Sequence, residues 1–143
     1  MDLALEEARA AAARGEVPVG AVVVDANGTV LAQAGNRTLE LHDPTAHAEV
    51  LVLRTAAAAL GSERLIECDL YVTLEPCAMC AGAISFARIR RLYFGASDTK
   101  GGAVEHGARF FGQPTCHHAP EIYGGIGESA AASLLKGFFA ARR

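Results

Sequence analysis

The sequence predicts a three-layer α/β fold in which helices cover both faces of a mixed sheet of about five strands. Three features predict it: an Ala- and Leu-rich helical segment precedes a valine-rich hairpin, a strand-helix-strand unit follows, and an amphipathic helix closes the chain. At 143 residues, of which 51% are hydrophobic, one core is expected. We therefore interpret residues 1–143 as a single domain.

The first half of the chain contains two helices around a hairpin. Residues 2–14 place apolar side chains at helical spacing and stop before a glycine. Two apolar runs, 17–25 and 29–34, are connected by a turn containing Asn-Gly, which is typical of a β-hairpin. Residues 46–60 are rich in Ala, Leu and Val and also end at a glycine, which predicts the second helix.

The middle of the chain is predicted to form a strand-helix-strand unit. Residues 70–74 form a short β-type run, residues 77–87 a helix, and residues 91–94 another strand. A crossover helix between two strands of one sheet predicts that the strands are parallel.

The last third is less regular. Residues 95–123 are rich in Gly, His and Pro, with at most a short helix at 104–111. Pro120 stands where a fifth strand would begin, which proline tolerates at an edge or a strand start. Residues 127–143 carry apolar residues on one helical face and predict the final helix.

Charge and hydropathy exclude several classes of protein. Thirteen Lys and Arg residues against sixteen Asp and Glu give a net charge of −3, so any contact with nucleic acid must come from a local patch. No apolar stretch approaches the roughly 20 residues of a membrane-spanning helix. The N-terminus has no basic segment followed by an apolar run. We expect a cytoplasmic protein that does not bind membranes.

Three side chains form a candidate metal site. Cys77 and Cys80 are three residues apart on a predicted helix, which places both sulfurs on one face. His47 lies at the start of the preceding helix, so the positive ends of two helices would meet and favour thiolates. Two thiolates and an imidazole are ligands for a catalytic zinc, with the fourth position left to water.

Glu49 is the candidate catalytic residue. Residues two apart on a helix face nearly opposite directions, so His47 and Glu49 can converge only at the mouth of the helix. The segment 43–45 supplies capping residues and a proline that would place His47 in or near the first turn. Pro76 suits the first turn of the next helix.

Other interpretations of the cysteines remain open at this point. A Cys-x-x-Cys pair is often redox-active, but that function has no use for His47 or Glu49. A structural zinc site would need a fourth ligand, for which the chain offers Cys68, Cys116 or the histidines at 117–118. Otherwise we interpret Cys68 and Cys116 as small residues with an inert packing role.

His-x-Glu followed by Pro-Cys-x-x-Cys is the signature of zinc nucleobase deaminases. Segments 16–22, 42–49 and 70–83 closely resemble the bacterial tRNA-specific adenosine deaminases, within the cytidine and deoxycytidylate deaminase superfamily. The resemblance is continuous over residues 3–100 and returns in the last helix.

The resemblance implies an activity and a set of roles. His47, Cys77 and Cys80 would bind one zinc ion per subunit, and Glu49 would shuttle protons. The reaction would convert the wobble adenosine of a tRNA anticodon loop to inosine by hydrolysis, using a zinc-activated water. Members of the family form homodimers in which the partner helps to build the substrate groove.

It also implies substrate contacts, each with a plainer alternative. Asn36 would hydrogen-bond the target base, although it could simply be a turn residue after the second strand. Asp98 would contact the sugar, or cap its own loop. Phe138 and Phe139 lie in a terminal helix that would pack beside the anticodon loop, and we assign the contact to Phe138, although an apolar pair there is usually core.

Two further expectations concern the substrate. Arg88, Arg90, Arg91 and Lys100 flank the predicted active-site helix and could form the local basic patch. Residues 106–123 depart from the family pattern, and the arrangement of residues 101–123 does not follow from the sequence. The alternative function is zinc-dependent deamination of a free base or nucleoside, such as guanine or cytosine.

Overall fold

The computed structural model describes residues 1–142. Its helices are α1 (Asp2–Ala13), α2 (Ala48–Leu60), α3 (Ala78–Ala87) and α4 (Glu128–Ala140), with a single 3-10 turn at Phe110–Gly112. Its strands are β1 (Gly20–Val24), β2 (Val30–Gly35), β3 (Asp69–Leu74), β4 (Arg91–Ala96) and β5 (Glu121–Tyr123).

The five strands form one mixed sheet in the order β2-β1-β3-β4-β5. Strand β1 is antiparallel to both β2 and β3, and strands β3, β4 and β5 run parallel. The predicted hairpin and the predicted parallel pair around α3 are therefore confirmed. So is the α/β class with a sheet of five strands.

Helices cover both faces of the sheet. Val52 and Leu53 of α2 and Ile84 of α3 are buried in the main core. From the sheet, Val72 of β3 and Leu92 and Phe94 of β4 join the same core. On the other face, α1 lies so close to β1 that a Cβ on Gly20 would meet the carbonyl oxygen of Ala4 at 1.9 Å. Helix α4 similarly approaches β4, since a Cβ on Gly95 would lie 3.1 Å from the Cβ of Ala131.

The ends of the elements differ from the sequence prediction in identifiable ways. The first strand begins at Gly20 and not at residue 17, because a tight turn joins the N–H of Val19 to the carbonyl of Val17 at 2.8 Å. The final helix begins at Glu128 after Gly127, which has a φ of 71°. Residue 143, which the prediction included in that helix, lies outside the described residues.

The predicted short helix at 104–111 is wrong. Only a 3-10 turn at Phe110–Gly112 forms, because the backbone N–H groups of residues 104–106 donate to the carboxylate of Glu75 and not to a helical carbonyl ladder. Pro120 directly precedes β5, which is the edge strand, as proline requires. Within residues 1–142, no helix combines the length and apolar character needed to span a bilayer.

Candidate active site

Three potential metal ligands converge where two helices begin. His47 is the N-cap residue of α2 and Cys77 is the N-cap residue of α3, while Cys80 lies in the first turn of α3. The Nδ1 atom of His47 lies 3.8 Å from the Sγ of Cys77 and 3.5 Å from the Sγ of Cys80. All three ligand atoms lie within 4.8 Å of one another. The predicted convergence at the helix ends is therefore present.

These distances fit a tetrahedral zinc ion. With Zn–S bonds of about 2.3 Å and Zn–N bonds of about 2.0 Å, ligand atoms at tetrahedral angles are separated by about 3.6 Å. The measured separations of 3.5 and 3.8 Å bracket that value. In residues 1–142, this is the one group of three or more potential ligands close enough to hold a metal. Three protein donors leave one tetrahedral position for a small molecule.

The pKa values of the two cysteines are shifted in opposite directions. Hydrogen bonding from Cys80, and then from His47, lowers the pKa of Cys77 to about 4. The adjacent Cys77 sulfur and burial raise the pKa of the Cys80 thiol. Hydrogen bonding to Cys77 raises the pKa of His47. A bound cation would displace the protons of these ligands.

Glu49 lies beside this group without belonging to it. The residue is 4% exposed and lies in the first turn of α2. Burial raises the pKa of its carboxyl group, and the charge on Cys77 adds to the rise. Because α2 begins only at Ala48, His47 has extended backbone and the two side chains can face one cavity. A carboxyl group in this position can hold or release a proton next to the metal site.

Asn36 provides the cap of α2. Its Oδ1 accepts a hydrogen bond from the backbone N–H of Ala48 at 2.8 Å. The sequence prediction assigned capping to residues 43–45, but the carboxylate of Asp43 binds the N–H and hydroxyl of Thr45 instead. Pro76 also differs from its prediction, because it precedes the N-cap of α3 and lies outside the first turn.

Asp98 caps the loop that follows β4. Its Oδ1 accepts hydrogen bonds from the backbone N–H groups of Lys100 at 3.1 Å and Gly101 at 2.9 Å. The backbone N–H of Asp98 donates to Glu75 at 3.1 Å. The loop-cap interpretation is therefore correct, and Asp98 also lines the cavity described next.

A cavity of about 250 Å³ contains the site. Asn36, His47, Glu49, Cys77 and Asp98 all line it, together with Val17, Val19, Thr38, Leu74, Glu75 and Gly101. A second cavity of about 620 Å³ adjoins it, with Val17, Leu74, Asp98 and Gly101 shared by both walls. The remaining walls of the second cavity are Lys100, Leu135, Phe139 and Arg142. The two cavities therefore share part of their walls, and we call the pair together the substrate groove.

The structure does not bring Phe138 to the substrate groove. Phe138 is 9% exposed, and the guanidinium carbon of Arg142 lies 3.5 Å from its ring centroid. Phe139 is 47% exposed and lines the groove. The assignment of the contact to Phe138 therefore falls on the buried member of the pair, since the two residues lie on different faces of α4.

The predicted basic patch does not form. Arg90 makes two 2.9 Å hydrogen bonds to Asp69, and Arg91 binds Glu121 at 2.8 Å. Arg88 is the C-cap residue of α3, about 16 Å along the helix from Cys77. These arginines follow the end of α3 that points away from the metal ligands. Only Lys100 of the predicted set lines the substrate groove.

The other two cysteines are remote from the metal ligands. Cys68 is buried in the main core. The Sγ of Cys116 lies 3.6 Å from the hydroxyl of Ser85 and donates to the carbonyl of His118 at 3.2 Å. Neither cysteine joins the ligand group among the described residues. The structural-zinc interpretation therefore lacks its fourth ligand.

The fold and this site together are those of the zinc-binding hydrolytic deaminases. The chain belongs to the cytidine and deoxycytidylate deaminase family, whose zinc-binding region matches residues 1–96. It is 65% identical over its full length to the tRNA-specific adenosine deaminase of Agrobacterium fabrum, covering 93% of that protein.

Solved structures give a similar result. A chain from a structural study of A-to-I editing by tRNA:A34 deaminases superposes with a TM-score of 0.93 at 67% identity, covering 94% of this chain and 97% of that one. A guanine deaminase from Nitrosomonas europaea superposes with a TM-score of 0.79 at 27% identity, covering 97% of this chain and 82% of that one.

Proposed function

We propose that this protein is a tRNA-specific adenosine deaminase that converts the wobble adenosine of an anticodon loop to inosine, with release of ammonia. The observation that carries the proposal is the pair of adjoining cavities in the substrate groove: the cavity of about 250 Å³ at the metal ligands shares part of its wall with a cavity of about 620 Å³. A free base needs only the first. A nucleotide held in a chain needs space for its neighbours, which the second supplies.

The metal ligands and Glu49 perform the reaction. His47, Cys77 and Cys80 would hold a zinc ion, which would supply an activated water. Glu49 would move two protons: its carboxylate would take one from the attacking water and deliver it to N1 of the adenine ring as the C6–O bond forms. It would then take the proton of the new C6 hydroxyl and deliver it to the amine as the C6–N6 bond breaks and ammonia leaves. Burial of Glu49 excludes bulk water from this path.

Asn36 and Asp98 orient the nucleotide. With its Oδ1 bound to Ala48, Asn36 has an amide NH₂ group for an acceptor on the base. Asp98 lies on the wall shared by the two cavities, where the sugar of the target nucleotide would pass. Both residues act on a base that has been splayed out of the loop.

The second cavity suits the neighbouring nucleotides. The exposed ring of Phe139 offers a face on which a base can stack. Lys100 and Arg142 line the same cavity and provide cations for phosphates. This local charge is compatible with a net charge of −3 for the whole chain.

Deamination of a free base is the second candidate, favoured by the structural similarity to the N. europaea guanine deaminase. The two functions are separated by assaying inosine formation in an anticodon stem-loop beside ammonia release from guanine and cytosine. We expect turnover of the stem-loop only. Turnover of a free base without inosine in the RNA would overturn the proposal.

The role of Glu49 has its own test. Glu49→Ala should retain one zinc ion per chain and the wild-type fold but lose turnover by a factor of about 100 or more. Glu67→Ala, which removes an exposed carboxylate far from the groove, is the matched control and should remain active. Full activity of Glu49→Ala would exclude the proton shuttle.

We also propose a homodimer formed through the face that α2 and α3 share. Phe86 is 66% exposed and Met79 is 38% exposed on α3, beside an apolar groove of about 560 Å³. Such side chains are typical of a protein interface. Light scattering should give twice the chain mass for the wild type and a lower mass for Phe86→Asp. A wild-type monomer would contradict the dimer.

We propose that the protein acts in the cytoplasm, where tRNA is available. All four cysteines are free thiols, which suits a reducing compartment. Detection of the protein by fractionation outside the cytoplasm would contradict this location.

A further inference from the structure

One buried carboxylate near the metal ligands has no part in the mechanism described above. Glu75 is 2% exposed and immediately follows β3, two residues before Cys77. Its Oε2 accepts hydrogen bonds from the backbone N–H groups of Val104, Glu105 and His106 at 3.1, 3.0 and 3.2 Å. Its Oε1 accepts from the N–H of Asp98 at 3.1 Å and lies 2.8 Å from Nδ1 of His106.

These partners all belong to a single segment, residues 98–106, which we call the wall loop. The wall loop is folded tightly onto the carboxylate. A Cβ on Gly102 would lie 2.5 Å from both Cδ and Oε2 of Glu75. The N–H of Ala103 also donates to the carbonyl of Pro76 at 2.9 Å. Because the segment contains no helix or strand, these contacts define its path.

The wall loop also borders the substrate groove, whose first cavity Glu75 itself lines. Asp98 and Gly101 line both cavities, and Lys100 lines the second. The position of these three residues therefore depends on how the loop is held by Glu75. An acceptor with five donors in a buried setting holds a loop more rigidly than water-exposed contacts would.

We propose that Glu75, supported by His106, is a positioning residue that fixes the wall loop and thereby the fit of the nucleotide chain in the substrate groove. The inference rests on the proposed function, since it takes RNA to be the molecule that binds against the wall loop. Glu75 acts through the loop and touches no reacting atom. Its loss should weaken productive binding of a polynucleotide much more than it slows the chemical step.

The test variant is Glu75→Gln, in which an amide NH₂ group replaces one acceptor oxygen among N–H donors. Glu105→Gln is the matched control, because Glu105 lies in the same loop with an exposed side chain. In hydrogen exchange, Glu75→Gln should speed exchange of the amides of residues 98 and 104–106 about tenfold or more. The amides of α3 should keep their protection, and Glu105→Gln should resemble the wild type.

Kinetics on an anticodon stem-loop provide the second readout. For Glu75→Gln, we expect KM to rise about tenfold while kcat changes by less than about threefold and zinc remains at one ion per chain. Gly102→Ala leaves the charge intact but pushes the loop off the carboxylate, so it should show the same pattern. It also decides the question if Glu75→Gln does not fold.

The outcomes separate the inference from the proposed function. Unchanged amide exchange in both variants, or a loss of kcat with KM unchanged, would overturn the positioning role while the wild-type enzyme still made inosine. A wild type that deaminates no RNA would overturn the proposed function and the assignment of the wall to RNA. Amide exchange would then still decide whether Glu75 anchors the loop.

Discussion

The side chain of Asn36 joins the end of β2 to the start of α2, because its Oδ1 accepts a 2.8 Å hydrogen bond from the backbone N–H of Ala48. Ala48 lies between His47 and Glu49, so this bond fixes the helix end on which a metal ligand and the proposed proton shuttle stand. The same residue lines the substrate groove. The Oδ1 of Asn36 therefore holds the start of α2, and its NH₂ group is the proposed donor to the substrate.

Two substitutions separate these roles of Asn36. Asn36→Ala removes the cap and should lower the free energy of unfolding by about 1 kcal/mol, and it should also impair activity. Asn36→Asp keeps an acceptor at the helix end, so stability should remain near wild type, but the NH₂ donor is lost and activity should fall about tenfold or more. Urea unfolding and inosine formation measure the two effects. Equal activity of Asn36→Asp and wild type would contradict the proposed hydrogen bond from Asn36 to the base.

Removal of a metal ligand should release the metal. His47→Ala leaves two protein ligands, so we expect less than one zinc ion per chain after dialysis and lower stability at both helix ends. His117→Ala is the control, because His117 is exposed and lies outside the ligand group. Metal analysis of the dialysed proteins gives the comparison. Full zinc retention in His47→Ala would contradict the ligand assignment.

The cations of the substrate groove should control the salt dependence of RNA binding. Lys100→Ala and Arg142→Ala should each weaken binding and reduce the slope of log K against log salt by about 0.7, the value for one phosphate contact of a single strand. Arg90 and Arg91 are paired with Asp69 and Glu121, so their alanine variants should leave the slope unchanged. Binding titrations of an anticodon stem-loop at several salt concentrations test this. A reduced slope for Arg90→Ala would show that Arg90 contacts the RNA, as the basic patch expected from the sequence requires.

Glu16 predicts an acid-dependent loss of stability. Burial tends to raise the pKa of its carboxyl group, but hydrogen bonds from the backbone of Glu40 and Leu39 and from the hydroxyl of Thr38, with the charge of Arg14, outweigh it and lower the pKa. The carboxylate therefore stabilises the folded protein above the unfolded-state pKa of about 4.3, and this contribution is lost as the pH falls through the lower folded-state pKa.

The matched variant is Glu16→Gln. It should be less stable than wild type by about 1 to 3 kcal/mol at pH 7, and the difference should shrink as the pH falls below about 4. Urea unfolding at a series of pH values measures the difference. Acid release of the metal affects both proteins, so the comparison between them remains valid. A difference that grows on acidification would contradict the assigned shift.

Local patterns were enough to predict much of the site. The spacing of Cys77 and Cys80 placed both sulfurs on one helix face, and the two-residue separation of His47 and Glu49 required a helix end, which α2 provides. The parallel pair β3 and β4 followed from the intervening helix. These features depend on helical periodicity and chain direction, which short stretches of sequence determine.

Features that depend on long-range contacts were missed. The cap of α2 comes from Asn36, twelve residues before Ala48. The partners of Glu75 lie 23 to 31 residues away, and their N–H groups carry no side-chain signal. Which of Phe138 and Phe139 lines the groove depends on the rotation of α4 about its axis. Two adjacent phenylalanines do not determine that rotation. The sequence gives one indication of a structural role for Glu75. Its carboxylate lies in the Glu-Pro-Cys segment, but the metal chemistry does not use it.

The proposed activity depends on a zinc ion with three protein ligands and one exchangeable position beside Glu49. X-ray absorption spectroscopy of the zinc-loaded protein tests it most directly. We expect two sulfur neighbours at about 2.3 Å and two nitrogen or oxygen neighbours at about 2.0 to 2.1 Å, one of which exchanges with added ligand. A third sulfur neighbour, or a fourth protein ligand that does not exchange, would contradict it.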